Sequence, residues 1–179
     1  MISVCYNLVT NFPAFFILAS IVNISPFLLL EVPMRYDRLG LQFDYPENWK
    51  IDSSDIENRK ATVTIYSPDG GFWSVSAHAT GHPASKLCEA VLSQMREEYQ
   101  DLDSEPAEET INSHRLTGFD LNFYCLDLTN TAIVRTLETP AATFLLFCQA
   151  EDREWECVSK VFAAMTASFI GKLPASIKS

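Results

Sequence analysis

The stretch GLQFDYPENWKI, from Gly40 to Ile51, carries the clearest local structural signals in the chain. Its first part, LQFDY, alternates apolar and polar residues, and side chains two residues apart share one face of a β-strand. Pro46 follows, and because proline has no amide hydrogen for a strand ladder, it ends this strand and turns the chain. A second short strand is expected around Trp49–Ile51. The stretch therefore predicts two short strands whose aromatic residues face a core.

A hairpin and a helix follow in the first half of the chain. ATVTIYS at 61–67 and FWSVSAHA at 72–79 both alternate, and they flank the turn sequence Pro68-Asp69-Gly70-Gly71, which predicts a β-hairpin. The polar run SSDIENR at 53–59 predicts a loop. A helix is expected from Ala84 to about Gln100. Its core-facing stripe is predicted to be Leu87, Val91, Met95 and Tyr99.

The second half is rich in strand signals and ends in a helix. Residues 111–128 predict one or two strands, and a strand at 131–138 is expected after a turn at Thr129–Asn130. ATFLLFCQA at 142–150 is apolar on both faces, which indicates a central strand covered on each side. A helix is expected from Asp152 to Ile170, ended by Gly171 and Pro174. Its apolar stripe is Trp155, Val158, Phe162, Met165 and Phe169.

The order is therefore strands, helix, strands, helix. Short turns join successive strands, which favours a mainly antiparallel sheet. The predicted class is α+β, with the sheet sandwiched by helices.

The first 33 residues differ from the rest, and we divide the chain into an apolar extension at 1–33 and a domain at 34–179. Residues 1–30 carry no charged side chain, but Pro13, Asn23 and Pro26 interrupt the apolar segment at 11–30, so a membrane helix is marginal. Three readings stay open: an over-long start whose true initiator is Met34, a membrane anchor, or a cleaved export segment. In the second reading Arg35 and Arg38 would keep the domain on the cytoplasmic side of the inner membrane.

Net charge and cysteine content limit which partners and which cellular compartment we expect. The formal net charge is -10, so phosphate backbones repel the chain and nucleic acid is not an expected partner. The five cysteines are odd in number and none forms a CxxC pair, which argues against a zinc site. Such usage favours a reducing compartment, so we expect a cytoplasmic location.

The chain carries no recognisable catalytic motif. It has no GxSxG, no GxGxxG and no GxxxxGK[ST], so we predict no catalytic residue, no metal and no cofactor. His78 and His82 straddle a strand end and a turn instead of sharing a helix face, and we interpret them as structural or surface histidines. The acidic run from Glu97 to Glu109 has no glycine and contains Pro106, so a solvated helix end and edge strand fit it better than a calcium loop.

One set of polar residues is a candidate binding site. Asp120, Asn122 and Tyr124 alternate with the core residues of their strand, and Arg135 can lie on a neighbouring strand. Such a patch could hold a partner through hydrogen bonds and an aromatic contact. The competing interpretation is an ordinary half-wet sheet face, or a face covered by a helix.

The stretch at 40–51, the hairpin YSPDGGFWSVS and the element order resemble the PsbP-like superfamily, which includes bacterial proteins of unknown function. Tyr45, Pro46 and Trp49 carry its most specific mark, and the resemblance covers about residues 38–171. It implies an α/β/α sandwich, an antiparallel sheet with helices packed on both faces. Its members include an extrinsic photosystem II subunit, a nuclear-import factor that binds a small GTPase, and bacterial lipoproteins. The resemblance thus implies surface recognition, and it transfers no binding residue.

Three functions follow from these observations. The leading hypothesis is a non-enzymatic, cytoplasmic protein-interaction or accessory domain with an unknown protein partner, and with membrane contact only if residues 1–33 are translated. The alternative is a small-ligand or hydrolytic enzyme with a site between sheet and helices, using His78 or Cys125. The third is a membrane-anchored accessory protein.

Overall fold

The computed structural model describes residues 33–52 and 61–174. The predictions for the apolar extension and for the loop at 53–59 lie outside these residues. Within them the chain forms β1 (Met34–Arg38), β2 (Leu41–Tyr45), β3 (Lys50–Ile51), β4 (Thr62–Tyr66), β5 (Phe72–His78), α1 (Ala84–Glu98), β6 (Asp103–Ile111), β7 (His114–Cys125), β8 (Leu128–Glu138), β9 (Thr143–Glu151) and α2 (Asp152–Lys172). Neither helix in these ranges is long and apolar enough to span a membrane.

Seven of these strands form one antiparallel sheet in the order β3-β4-β5-β9-β8-β7-β6, and β1 and β2 form a separate hairpin. β9 lies at the centre, as expected from a strand that is apolar on both faces. β6 lies at one edge, where its charges and Pro106 oppose pairing with another chain. The predicted α+β class is confirmed.

The two helices cover opposite faces of the sheet. On the front face, α2 and the β1–β2 hairpin enclose the larger core, in which Phe43 packs on Trp73 with ring centroids 4.8 Å apart. On the back face, α1 encloses a smaller core with β7, β8 and β9. Its buried members are Cys88, Leu92, Met95, Leu121, Phe123, Ala132 and Val134. The expected α/β/α sandwich is therefore confirmed.

The stretch at 40–51 attaches the hairpin to α2. Tyr45, Pro46 and Trp49 are buried, and the rings of Trp49 and Phe162 pack in a T-shaped arrangement with their centroids 5.6 Å apart. These residues build the core, as the alternation predicts.

Asp44, within the same stretch, binds α2 through polar contacts. Its amide donates to the Ser168 hydroxyl at 3.0 Å, and that hydroxyl donates to the Asp44 carboxylate at 3.1 Å. Arg35 and Lys172 donate to the same carboxylate. Burial raises the pKa of Asp44, but the hydrogen bonds from Arg35 and Ser168 and the charge of Lys172 outweigh it, so the pKa lies below its ordinary value.

Two predicted boundaries in the strand-rich half and at its end are wrong. The turn lies at Leu126–Asp127, with φ of 51° and 62°, instead of Thr129–Asn130. β8 therefore begins at Leu128, where the carbonyl of that residue accepts a hydrogen bond from the Asn130 side chain. α2 continues through the exposed Gly171 to Lys172, two residues past the predicted end.

The apolar stripe of α1 is rotated from the predicted one. Its buried residues are Ala84, Cys88, Leu92 and Met95, while Leu87, Val91 and Tyr99 flank them half-buried. Steps of four residues drift around a helix of 3.6 residues per turn, so the face that meets the sheet mixes steps of four and three.

Candidate functional site

The structure brings the four predicted site residues onto one face. Asp120, Asn122 and Tyr124 alternate along β7 and point to the front face. Arg135 lies opposite Gly118 on β8 and points to the same face. Asn122 and Tyr124 are exposed, as are the neighbouring acidic residues of β6, so this part of the front face extends beyond α2.

Arg135 is the centre of this face, yet only 7% of it is exposed. Its Nη2 donates to Asp120 Oδ1 at 2.7 Å, and its Nε donates to Glu109 Oε1 at 3.0 Å. Its Nη1 donates to the backbone carbonyls of Phe119 and Val134, each at 3.0 Å. The guanidinium therefore holds two carboxylates and two strands in place, and it does not present its own charge to a partner.

Gly118 makes this arrangement possible. A Cβ at this position would overlap the Val134 carbonyl group and would lie 3.1 Å from the Arg135 Cα. Because only glycine permits such an approach between backbones, β7 and β8 can sit close together under the guanidinium.

Carboxylates surround Arg135 on the front face. Register places Asp103 opposite Asn122, Glu105 opposite Asp120 and Glu109 opposite Leu116, and all these side chains point forward. Four carboxylates and one guanidinium leave three net negative charges. Glu105 and Asp120 are a directly opposite acidic pair, and like charges at such positions oppose strand pairing. We call this surface the acidic face: Asp103, Glu105, Glu109, Asp120, Asn122, Tyr124 and Arg135.

A chain of hydrogen bonds fixes the acidic face to α2. Asn122 Nδ2 donates to Thr131 Oγ1 at 2.9 Å, and that hydroxyl donates to Asp152 Oδ1 at 2.8 Å. Asp152 is the first residue of α2. The side chain of Asn122 is therefore oriented by the fold.

The acidic members from β6 were missed as site residues, because the acidic run was interpreted as a solvated edge. The run is indeed an edge strand. Its odd-numbered residues share one face of the strand, and this alternation is the signal that could have grouped Asp103, Glu105 and Glu109 with Asp120.

A groove between sheet and helix exists on the back face, between α1 and the β6–β7 edge, with a volume of about 420 Å³. It contains Cys88 but neither His78 nor Cys125. Burial raises the pKa of the Cys88 thiol more than Arg135 and Thr136 lower it. The thiol is therefore protonated at neutral pH and is a poor nucleophile.

His78 and Cys125 lie at opposite ends of the sheet. His78 pairs with Thr143 beside Glu138, and Cys125 pairs with Leu128 at the other end of β8. About ten residues of strand, or about 33 Å, separate these two rows, so the two side chains share no site.

The chemical surroundings of His78 and Cys125 also differ. Burial and the neighbouring His82 lower the pKa of His78. Burial, then Cys125 and Glu98, raise the pKa of Tyr99 to about 12, so its hydroxyl stays protonated beside the thiol. Within residues 33–52 and 61–174, no three histidine, cysteine or acidic side chains cluster as metal ligands.

Comparisons with known proteins define the class of fold. No family model and no curated protein matches the sequence. The solution structure of cyanobacterial PsbP (CyanoP) from Synechocystis sp. PCC 6803 is similar over 82% of this chain and 96% of that chain, with 12% identity and a TM-score of 0.53. The Ran-binding protein Mog1p from Saccharomyces cerevisiae is similar over 79% and 94%, with 8% identity and a TM-score of 0.51.

These likenesses show the fold: the chain has the Mog1p/PsbP-like sandwich, which confirms the resemblance seen in the sequence at the level of architecture. Proteins of this fold are mostly non-enzymatic binding or accessory proteins. The identities of 12% and 8% carry no binding residue over to this chain.

Proposed function

We propose that this chain is a non-enzymatic protein-interaction domain that binds a basic segment of a partner protein on its acidic face. The observation that carries the proposal is the excess of carboxylates on a part of the sheet beyond α2, where Arg135 holds two of the four, Glu109 and Asp120. Glu105 and Asp120 face each other there at a cost to stability, and a basic partner would relieve their repulsion.

The acidic face is also organised before any partner arrives. Arg135 holds Asp120 and Glu109, and the fold orients Asn122 through Thr131. Groups that are already ordered lose little conformational entropy on binding, so more of the interaction energy becomes affinity. Opposite charge on the partner would add steering and a faster association rate.

The proposal is supported by the fact that proteins of this fold are mostly binding or accessory proteins. No observation on the described residues favours the alternative of an enzyme that uses His78 or Cys125. The cytoplasmic location, the translation start and the identity of the partner stay predictions.

A defined basic peptide tests the proposal. The probe is a fluorescein-labelled peptide of alternating lysine and serine, titrated with the full-length protein and followed by anisotropy in 50 mM and 150 mM salt. We expect Glu105→Lys to weaken binding about thirtyfold, because it removes one attraction and adds one repulsion, each worth about 1 kcal/mol at contact in water. Binding to the native protein should weaken at the higher salt.

Glu47→Lys is the matched control. It changes the net charge equally, but Glu47 is an exposed residue between β2 and β3, at the sheet edge opposite β6. We expect less than a twofold change. Equal weakening by both substitutions would mean that net charge alone attracts the peptide, and the proposal would then be wrong.

A further inference from the structure

The β7–β8 hairpin exposes three large apolar side chains at its end. Tyr124, Leu126 and Leu128 are 63%, 91% and 44% exposed. Tyr124 points to the front face and is the member of the acidic face closest to the turn, Leu128 points to the back face, and Leu126 lies in the turn between them. We call these three residues the apolar tip.

The backbone of the tip is unfavourable for its sequence. Leu126 and Asp127 have φ of 51° and 62°, the pair of positive values found in a type I′ turn. Asparagine and glycine tolerate this conformation, whereas leucine is strained in it. Leu126 thus combines backbone strain with exposure of an apolar side chain to water. Residues that break two local rules at once are candidates for function.

A second turn in the chain provides a comparison. Leu39 also sits at positive φ, 54°, in the β1–β2 hairpin, and 49% of it is exposed. Its neighbours Arg38 and Gly40 offer no apolar surface, and Leu41 is buried. Only the β7–β8 turn therefore combines a strained leucine with further exposed apolar side chains, among the hairpins that the structure describes.

Charge decides what covers the apolar tip. Asp127 lies in the turn itself, whereas Asp120 and Glu105 lie about six residues away along the front face. The Asp127 carboxylate opposes docking of the tip on an anionic lipid surface, and the net charge of -10 opposes docking on a second copy of the chain. A protein surface with basic and apolar residues could pair its charges with the acidic face and bury the apolar side chains of the tip.

We infer that the apolar tip anchors the same basic partner that the acidic face binds, an inference that rests on the proposed function. The spacing follows from the strand: Asp120 and Leu126 are six residues apart, or about 20 Å at 3.3 Å per residue. An extended partner segment would therefore carry apolar side chains about six residues from its basic ones.

Two labelled peptides test the inference by anisotropy with the full-length protein. The first has a lysine-serine block and, six residues further on, two leucines; the second has serines in place of those leucines. We expect the native protein to bind the leucine peptide about tenfold more tightly. Leu126→Asn should reduce this preference to less than twofold and leave the affinity for the serine peptide unchanged.

Leu126→Asn suits a type I′ turn, so the variant is expected to fold. Leu39→Asn makes the same change in the other strained turn, and it should keep the tenfold preference. The double-mutant design isolates the contact between the tip and the leucines.

Each contrary result has its own meaning. If all three proteins bind both peptides with equal, salt-sensitive affinity, the apolar tip is not an anchor, although the proposed function stands. If neither peptide binds in a salt-sensitive way, the proposed function fails and the anchor fails with it. If Leu126→Asn instead abolishes sedimentation with vesicles of phosphatidylglycerol and phosphatidylcholine, the tip contacts lipid and the inference is overturned.

Discussion

Arg135→Met is the substitution that tests the site most directly. Methionine keeps much of the apolar stem but removes the guanidinium and its four hydrogen bonds. The side chains of Asp120 and Glu109 are 49% and 42% exposed, so water can solvate them again, and each lost ion pair costs about 0–1 kcal/mol. The two carbonyls are less accessible, and each costs about 1–2 kcal/mol without its donor. We expect a loss of about 3 kcal/mol in the free energy of unfolding.

Urea denaturation followed by tryptophan fluorescence measures this loss, since Trp49 and Trp73 are buried in the front-face core. Arg115→Met is the control: Arg115 on β7 also pairs with a glutamate, but its side chain is 70% exposed. Its removal should leave the urea midpoint unchanged within error. If Arg135→Met costs less than about 1 kcal/mol, Arg135 behaves as an ordinary surface ion pair, and the account of it as the centre of the site is refuted.

Three further predictions concern stability. Glu105→Gln should raise the free energy of unfolding by about 0.5 kcal/mol, because it removes the repulsion with Asp120, and a lower urea midpoint would contradict this. Gly118→Ala should lower it by about 2 kcal/mol or more, since the added carbon overlaps the Val134 carbonyl; an unchanged midpoint would show that the strands separate freely. Asp44 has a folded pKa below its ordinary value of 3.8, so its contribution is present above that pH and is lost as pH falls through the folded pKa. Thermal melts from pH 2 to 7 should therefore show Asp44→Asn destabilised at neutral pH but approaching the native protein as pH falls below 3.8, and parallel curves would refute the linkage.

The sequence predicts most of the fold because several of its signals are local and strong. Pro46 can end a strand in any context, and the alternation on both sides of Pro68-Asp69-Gly70-Gly71 requires no tertiary information. The run at 142–150 is apolar on both faces, and only a central strand can bury both. These elements are where the structure confirms the sequence most closely.

The wrong turn prediction has a physical reason. Asn130 is a common turn residue, but in the structure it continues β8 and its buried side chain donates to the Leu128 carbonyl. Pairing of β8 with both β7 and β9 fixes its start, and leucine at position 126 is not a residue that favours a type I′ turn. β1 was not predicted either, since only Tyr36 of its five residues is buried.

The site could be predicted only in part. Alternation along β7 and the neighbouring position of β8 suffice to place Asp120, Asn122, Tyr124 and Arg135 on one face. The register between β6 and β7 was not readable, because it depends on the turn at residues 112–113, which also has positive φ. Without that register, the sequence does not show that Glu105 lies opposite Asp120. It also does not show that the Arg135 guanidinium binds carboxylates of its own chain.

Two of the features that break local rules belong to β6, β7 and the turn that follows β7, and this bears on how the chain divides its residues between folding and binding. The like-charge pair Glu105–Asp120 and the strained, exposed Leu126 each lower stability, and they belong to β6, β7 and the turn that follows β7. The stretch at 40–51 obeys every local rule and builds the core. Since natural sequences depart from local consistency mainly at functional sites, the residues that identify the fold and those that bind are expected to be different sets. Substitutions in the core stretch should therefore weaken folding and binding together. Substitutions of Glu105 or Leu126 should weaken binding, while the free energy of unfolding stays equal or rises. An ordinary solvated sheet face would not show weaker binding together with equal or higher stability.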